Sequence, residues 1–380
     1  MKRFFLLLIL IPAFVFAEKL YSPTWGFSLD VPEFYEYSEG DGKDRFSFTG
    51  PEGALFDMVV YNGTYAGVKE MAEDVTKKLG NKGEIDYFKY HGKQAAIMEL
   101  NFGDKLSGWG LCLELTGAQG RRPPILLALA YGPAAKTDLN LFHFSVLDSI
   151  APSDAERLYP GPVTEYSYPR GEQIVVPIAT SGVTAAVCKN DAEAAQMLIE
   201  REFVILTTYA NTQAWQQAWL RYYRMIYRDS YTRVENIALA LIKKWGRGGT
   251  GNTGAAAGSA ADRAFAQKAL SFVQGFKYVR NQESSDFLNL INTASDGSGD
   301  CDSRAMLWAI ILKYSGIRAA MMISPKYSHA MGLADIAGAG ARFEAYETNW
   351  LVAETTANID IGLIDKEQAD PKNWFGVLFE

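Results

Sequence analysis

The chain has 380 residues, 48% hydrophobic and 13% aromatic, enough for two or three domains with cores that need no disulfides. Its formal charge is −7, which argues against a nucleic-acid partner, because such a partner needs a cationic footprint. Beyond the N-terminus no segment stays apolar for the roughly 18 residues of a spanning helix, so no helical membrane span is expected there.

Residues 1–17 read as a secretory signal peptide. Lys2 and Arg3 supply the positive end, Phe4 to Phe16 the apolar stretch, and Val15 and Ala17 the small residues before a cut at Glu18. Losing Lys2 and Arg3 takes the charge from −7 to −9. No cysteine lies near the cut to carry a lipid. The expected product is exported, periplasmic or secreted, with no membrane span after cleavage. Export permits disulfides, but three cysteines leave at least one thiol free. Cys112 and Cys188 sit in strand-like runs and read as buried, inert thiols.

Residues 18–152 read as one α+β domain. A short strand ends at Pro32, and strands follow at Phe46–Phe48 and 55–61. Val68, Met71, Ala72, Val75 and Leu79 recur at helical spacing over 66–80. Further strands are expected at 84–90, 94–102, 107–116 and 124–132, with a helix at 136–148. His91 falls in a turn expected to be exposed, and His143 falls on that last helix as a structural residue.

Residues 153–171, rich in Pro, Gly and Tyr, connect this unit to a second region, 153–380. Two strands are expected in 172–189 and helices at 191–210, 212–228 and 233–245. The helical period of Tyr222–Arg228 suggests one core face and one solvated basic face. Residues 246–260 are almost all Gly, Ala, Ser, Thr and Asn, a composition expected to form a mobile loop. Gly246–Gly251 lacks the Gly-Lys-Ser/Thr ending and the preceding strand of a phosphate loop. A helix at 262–277 then leads to the part of the chain that names a chemistry.

Gly299-Asp300-Cys301 opens an apolar run from Ala305 to Leu312, the pattern of a helix buried on all sides. Asp300 is placed to cap that helix, which puts Cys301 in its first turn. The helix dipole favours a thiolate there, while Asp300 and Asp302 oppose it. His329 follows 28 residues on at the start of a strand, and Glu354 follows another 25 residues on at the end of one. A thiol, an imidazole and a carboxylate are the parts of a nucleophile, its base and the base's orienter. Asp335 and Glu344 are the alternatives to Glu354 in the third role. The scattered cysteines and histidines form no metal motif, and no cofactor motif is present.

These residues resemble the transglutaminase-like superfamily of papain-fold cysteine enzymes. Gly299-Asp300-Cys301 matches the family's Gly-Asp-Cys, and His329-Ala330 matches its His-Ala strand opening. Glu354-Thr355-Thr356 stands where the family usually has Asp-Pro-Thr. The resemblance spans about residues 262–362. It implies a papain-like domain in which a nucleophile helix packs on an antiparallel sheet. It also implies acyl transfer through a thioester, with Cys301 as nucleophile, His329 as base, Glu354 as orienter and the Cys301 N–H as one oxyanion donor. Gln274 is either a second donor or a polar residue on its helix face. Residues 20–150 resemble PsbP-like α+β sandwich domains, on the Trp25-Gly26-Phe27 opening that runs to Pro32 and the closing Leu147-Asp148-Ser149-Ile150.

The function expected is an exported cysteine peptidase or amidase acting on a protein or peptide, including cell-envelope substrates. A non-catalytic envelope scaffold and an amide cross-linking acyltransferase are the alternatives.

Overall fold

A computed structural model describes residues 19–117, 120–246, 260–280 and 284–379. The signal-peptide stretch 1–17 and nearly all of the Gly-rich segment 246–260 lie outside the described residues. The fold is α+β, a mixture of helices and antiparallel sheets.

Residues 36–133 build a seven-stranded antiparallel sheet. Its spatial order is Glu36–Gly40, Arg45–Thr49, Leu55–Tyr61, Ile125–Pro133, Leu106–Glu114, Lys93–Asn101, Ile85–Tyr90. Its central strands read as continuous apolar runs because both faces are covered. Ala95, Ile97, Leu111 and Leu113 point into a core shared with Val146 and Leu147 of helix Leu139–Asp148. Their neighbours Ala96, Met98, Leu100 and Cys112 point the other way, onto Met71, Ala72 and Val75 of helix Val68–Leu79. A two-residue side-chain period permits this division.

The second region is organised around helix Cys301–Tyr314. Ala305 to Leu312 are at most 1% exposed, so this helix has no solvent face. It lies against a five-stranded antiparallel sheet of order Arg342–Ala345, Thr348–Ala353, His329–Ala334, Ala319–Ser324, Phe375–Val377. Helix Ala260–Gln274 flanks it, and Trp308 Nε1 donates to Ala266 O at 3.1 Å. The approach to the sheet is close because residue 332 is glycine. A Cβ there would lie 2.5 Å from the Trp308 ring.

Helix Trp215–Arg233 joins the two regions. Arg221, Arg224 and Arg228 recur on one side of it, and the structure buries that side where the sequence suggests a solvated face. Arg224 grips Asp30 with two bonds, at 2.6 and 2.9 Å. Arg221 donates to Asp30 O, Ser145 Oγ and Glu202 Oε2. Arg228 donates to the carbonyls of Tyr159, Asp148 and Ile150. Asp148 is the last residue of helix Leu139–Asp148 and Ile150 follows its cap, at the end of a helix where carbonyls lack intrahelical partners and a cation is favoured. The connecting stretch 153–171 is packed as well. It contains helix Pro162–Ser167, and Asp148 accepts from both Thr164 N and Thr164 Oγ1. No helix among the described residues is long and apolar enough to cross a membrane.

Arg221 is 2% exposed and Glu202 is 1% exposed at the side chain. Removing the cation leaves buried Glu202 with Arg201 as its remaining ion partner, at 2.9 Å, so Arg221→Ala should cost about 1.5–3 kcal/mol in urea unfolding, the worth of a hydrogen bond to a charged group. Wild-type stability in Arg221→Ala would show that these arginines do not hold the seam.

Candidate active site

Local chemistry sets the position of the thiol. Asp300 is extended, and its Oδ1 accepts from Ser303 N at 2.9 Å, which caps the helix. Cys301 is therefore the first helical residue, and its N–H has no intrahelical acceptor. The start of strand His329–Ala334 lies beside it, and the backbone N–H of Ala330 works to favour the thiolate. The start of the helix and the start of the strand His329–Ala334 thus meet edge to edge.

His329 Nε2 lies 2.7 Å from Glu354 Oε2. The other carboxylate oxygen, Oε1, accepts from Thr356 N and Thr356 Oγ1, both at 2.6 Å. With Nε2 committed to Glu354, Nδ1 is the ring nitrogen left for the thiol. The structure does not bring the alternative carboxylates here. Asp335 pairs with Arg318 at 2.8 Å, and Glu344 is exposed on strand Arg342–Ala345.

Gln274 is not available as an oxyanion donor. Its Nε2 donates to Glu354 O at 2.8 Å and Ile359 O at 2.9 Å. The side chain instead anchors the backbone that carries the carboxylate. The polar group beside the sulfur is Tyr278, whose hydroxyl lies 4.0 Å from Cys301 Sγ. A two-residue parallel pairing of Lys277–Tyr278 with Ser298–Gly299 puts it there. No local sequence signal marks Tyr278, because the pairing joins segments 21 residues apart. Arg304 lies beneath, fully buried and without a carboxylate partner among the described residues. It donates to Gly299 O and Phe276 O and faces the Tyr278 ring at 5.4 Å.

Cys301 and His329 open onto a cleft of about 580 Å³. Trp219, Tyr222, Tyr223 and Phe287 form its aromatic lining, and the Arg280–Asp286 ion pair adds charge. Tyr223 donates to Asp302 Oδ1 at 2.8 Å, and the Tyr222 hydroxyl meets Ser285 Oγ. The helix that grips Asp30 with its arginines thus lines this cleft with its tyrosines.

The electrostatics favour a neutral resting thiol. Burial pushes the Cys301 thiol up, and Asp302 and Asp300 push it further. Burial likewise pushes Asp300 well above the usual carboxylate range, as does its neighbour Asp302. Burial also raises Asp302. Carboxyls raised in this way ionise less readily, which weakens the negative charge facing the sulfur. Burial also works to raise Glu354, but the bond and charge of His329 and the two Thr356 donors hold it below its usual range.

Donor atoms of Asp300, Cys301 and Asp302 lie within 4.8 Å of one another. Asp300 is committed to its cap and Asp302 to Tyr223. All three cysteines are free, Cys112 fully buried and Cys188 half-buried. His143 is buried on its helix, and burial lowers it to about 4. His91 is not an exposed turn residue. It packs edge-on against Tyr90 and lies 4.2 Å from the Tyr159 ring.

No family model matches the chain, and no curated protein matches it. Among solved structures, the chain is similar to the cyanobacterial PsbP protein CyanoP of Synechocystis sp. PCC 6803. The identity is 11%, over 35% of this chain and 91% of that one, with a TM-score of 0.28. The Ran-binding protein Mog1p of Saccharomyces cerevisiae aligns at 8% identity over 37% of this chain and 97% of its own, with a TM-score of 0.26. The likeness to PsbP is a weak structural one.

The depressed Glu354 carboxyl makes a signed prediction. Its folded pKa lies below the unfolded 4.5, so its stabilisation is complete above about pH 4.5 and is lost as pH falls through the folded value. The melting temperature of wild type should exceed that of Glu354→Gln at neutral pH, and the gap should close on acidification. A gap that is constant down to the acid transition would mean that the carboxylate is not held by His329.

Proposed function

We propose that the chain is an exported cysteine hydrolase of transglutaminase-like type, a peptidase or amidase, working through Cys301, His329 and Glu354. One observation carries the reading. Cys301 and His329 line one cleft, and His329 Nε2 lies 2.7 Å from the buried Glu354. The Gly299-Asp300-Cys301 and His329-Ala330 motifs support the same family. Glu354 supports it in place of the family's aspartate, its extra methylene spanning to Nε2.

The chemistry follows from the geometry. An amide carbonyl enters the cleft. As the Cys301 sulfur attacks it, the thiol proton passes to His329 Nδ1, because the resting thiol is neutral and no ion pair is preformed. Glu354 stabilises the imidazolium through Nε2 and fixes the tautomer. The Cys301 N–H and the Tyr278 hydroxyl are the donors placed for the oxyanion. Collapse breaks the C–N bond, the leaving amine takes the proton from His329, and a thioester remains. Water deprotonated by His329 then releases the acid and restores the thiol. An amine in place of water gives an amide cross-link. A protein or peptide of the cell envelope is the substrate class, reached through the signal peptide.

A non-catalytic scaffold is the second reading. It is favoured by the acidic, buried surroundings that hold the thiol neutral.

The test is labelling and turnover. Cys301 is 5% exposed and Cys188 is half-buried, so exposure alone favours Cys188. Iodoacetamide near neutral pH should nevertheless modify Cys301 first, through His329. An acyl-thiol probe should label wild type and spare Cys301→Ala. Glu354→Gln should fold and lose about ten-fold or more in turnover, as triad orienters do. Tyr278→Phe should lower kcat with KM little changed. Slower labelling at Cys301 than at Cys188, with no probe adduct, would replace the enzyme reading by the scaffold.

A further inference from the structure

Arg304 is 1% exposed, yet it meets no carboxylate among the described residues. Arg221 and Arg233, buried as deeply, each hold one. The three Arg304 nitrogens donate to carbonyls instead, Nε to Gly299 at 3.1 Å, Nη2 to Phe276 at 2.7 Å and Nη1 to Thr355 at 3.5 Å. Gly299 leads into Cys301, Phe276 leads into Tyr278, and Thr355 follows Glu354. One side chain therefore holds the backbone beside three groups of the candidate site.

A guanidinium keeps its proton at any ordinary pH, so a positive charge stays buried here. Such a charge is costly unless a negative one comes to face it. Burial pushes Arg304 down, and the negative forms of Tyr278, Asp300, Cys301 and Glu354 push it up, Tyr278 most of the four. The guanidinium carbon lies 5.4 Å from the centre of the Tyr278 ring, within the reach of cation–ring attraction. The hydroxyl of that ring points its donor at Cys301 Sγ, 4.0 Å away. Burial pushes the phenol up and a Cys301 thiolate pushes it further, so the unaided hydroxyl is a weak donor. A fixed cation against the ring works the other way. When the hydroxyl shares its proton with an oxyanion, negative charge builds on the phenol, and the charge of Arg304 is already in place to meet it. We infer that Arg304 is a positioning residue that makes Tyr278 an effective oxyanion donor, its charge polarising the phenol while its fork fixes the phenol beside Cys301. The inference rests on the hydrolase reading. In the step concerned the sulfur adds to the carbonyl carbon, the C=O electron pair moves to oxygen and the thiol proton goes to His329. Tyr278 donates a hydrogen bond to that oxygen and keeps its own proton.

Two reagents separate this role from a merely structural one. p-Nitrophenyl acetate acylates a thiol through an oxyanion, whereas iodoacetamide alkylates it by displacing iodide, with no oxyanion. Both rates are followed at Cys301 of the full chain by peptide mapping, and their ratio is the readout, because a distorted site slows both reactions alike. Arg304→Gln should lower the acylation-to-alkylation ratio by about ten-fold, the kinetic equivalent of one cation–ring contact taken out of water. In the Tyr278→Phe background the same substitution should change the ratio by no more than about two-fold, since the hydroxyl it acts through is gone. Arg304→Lys serves where the glutamine variant does not fold. It keeps a cation but not the planar fork, and its ratio should fall by less, again only with the Tyr278 hydroxyl present. A ratio unchanged in the folded Arg304 variants, or lowered equally in Tyr278→Phe, would overturn the inference and leave the hydrolase reading standing. A wild-type Cys301 that is alkylated but never acylated would remove the hydrolase reading, and this inference with it.

Discussion

A helix with no solvent face has few ways to present chemistry, and this constraint governs the second half of the molecule. Side chains on every side of Cys301–Tyr314 are taken up by packing, so only its first turn reaches a cleft. The free N–H groups that every helix leaves at that end become the polar equipment of the site. Asp300 uses its side chain on one of them, the Ser303 N–H, and the Cys301 N–H has no acceptor within the helix. Arg304, one turn in, has no carboxylate to meet among the described residues. It satisfies its donors with the carbonyls of Gly299 and Phe276, and thereby ties the segment bearing Tyr278 to the segment bearing Cys301. A buried cation used in this way fixes geometry through five directed donors, which a lysine could not do.

The two sides of helix Trp215–Arg233 connect that site to the N-terminal sheet. One side places guanidinium groups on Asp30 and on the carbonyls that end helix Leu139–Asp148. The other places Tyr222 and Tyr223 in the cleft wall, with Tyr223 on Asp302. Cations that are individually costly to bury are tolerated because each finds several oxygen acceptors. The gain is orientation. The helix is fixed from both ends of its cross-section, so the aromatic wall of the cleft is held by contacts made in the other half of the chain. Glu33 lies at the same seam, buried, and burial raises its carboxyl to about 7. Its folded pKa exceeds the unfolded 4.5, so its contribution to stability falls as pH rises from about 4.5 to 7.

Charge at the thiol has to be weighed against this rigidity. The helix terminus, the Ala330 N–H and the Tyr278 hydroxyl favour ionisation of Cys301, while burial and two acidic neighbours oppose it. The opposition is stronger at rest, and the raised carboxyls of Asp300 and Asp302 moderate it. A thiol that stays neutral until a carbonyl arrives needs its base well oriented, and Glu354, with one oxygen on His329 and the other on Thr356, provides that orientation.

Sequence by itself determined what depends on near neighbours. The α+β character, the helices at Val68–Leu79 and Cys301–Tyr314, and the alternation through residues 93–133 follow from side-chain period, which the backbone imposes locally. The motif residues Cys301, His329 and Glu354 were legible because each stands at the end of a periodic segment, and the structure brings all three together. Tertiary structure alone decided what depends on distant partners. The basic residues of Tyr222–Arg228 carry a helical period that suits solvent as well as a buried seam, and only the approach of distant partners, Asp30 for Arg224 and the carbonyls of Asp148, Ile150 and Tyr159 for Arg228, buries them. Gln274 offers the same amide to an oxyanion or to a carbonyl, and the return of the chain at Glu354 settled it. Tyr278 and His91 took their places through a short parallel pairing and a packed connection, neither of which leaves a periodic trace. A side chain's burial is written in its neighbours along the chain, but the partner of a polar group is chosen in three dimensions.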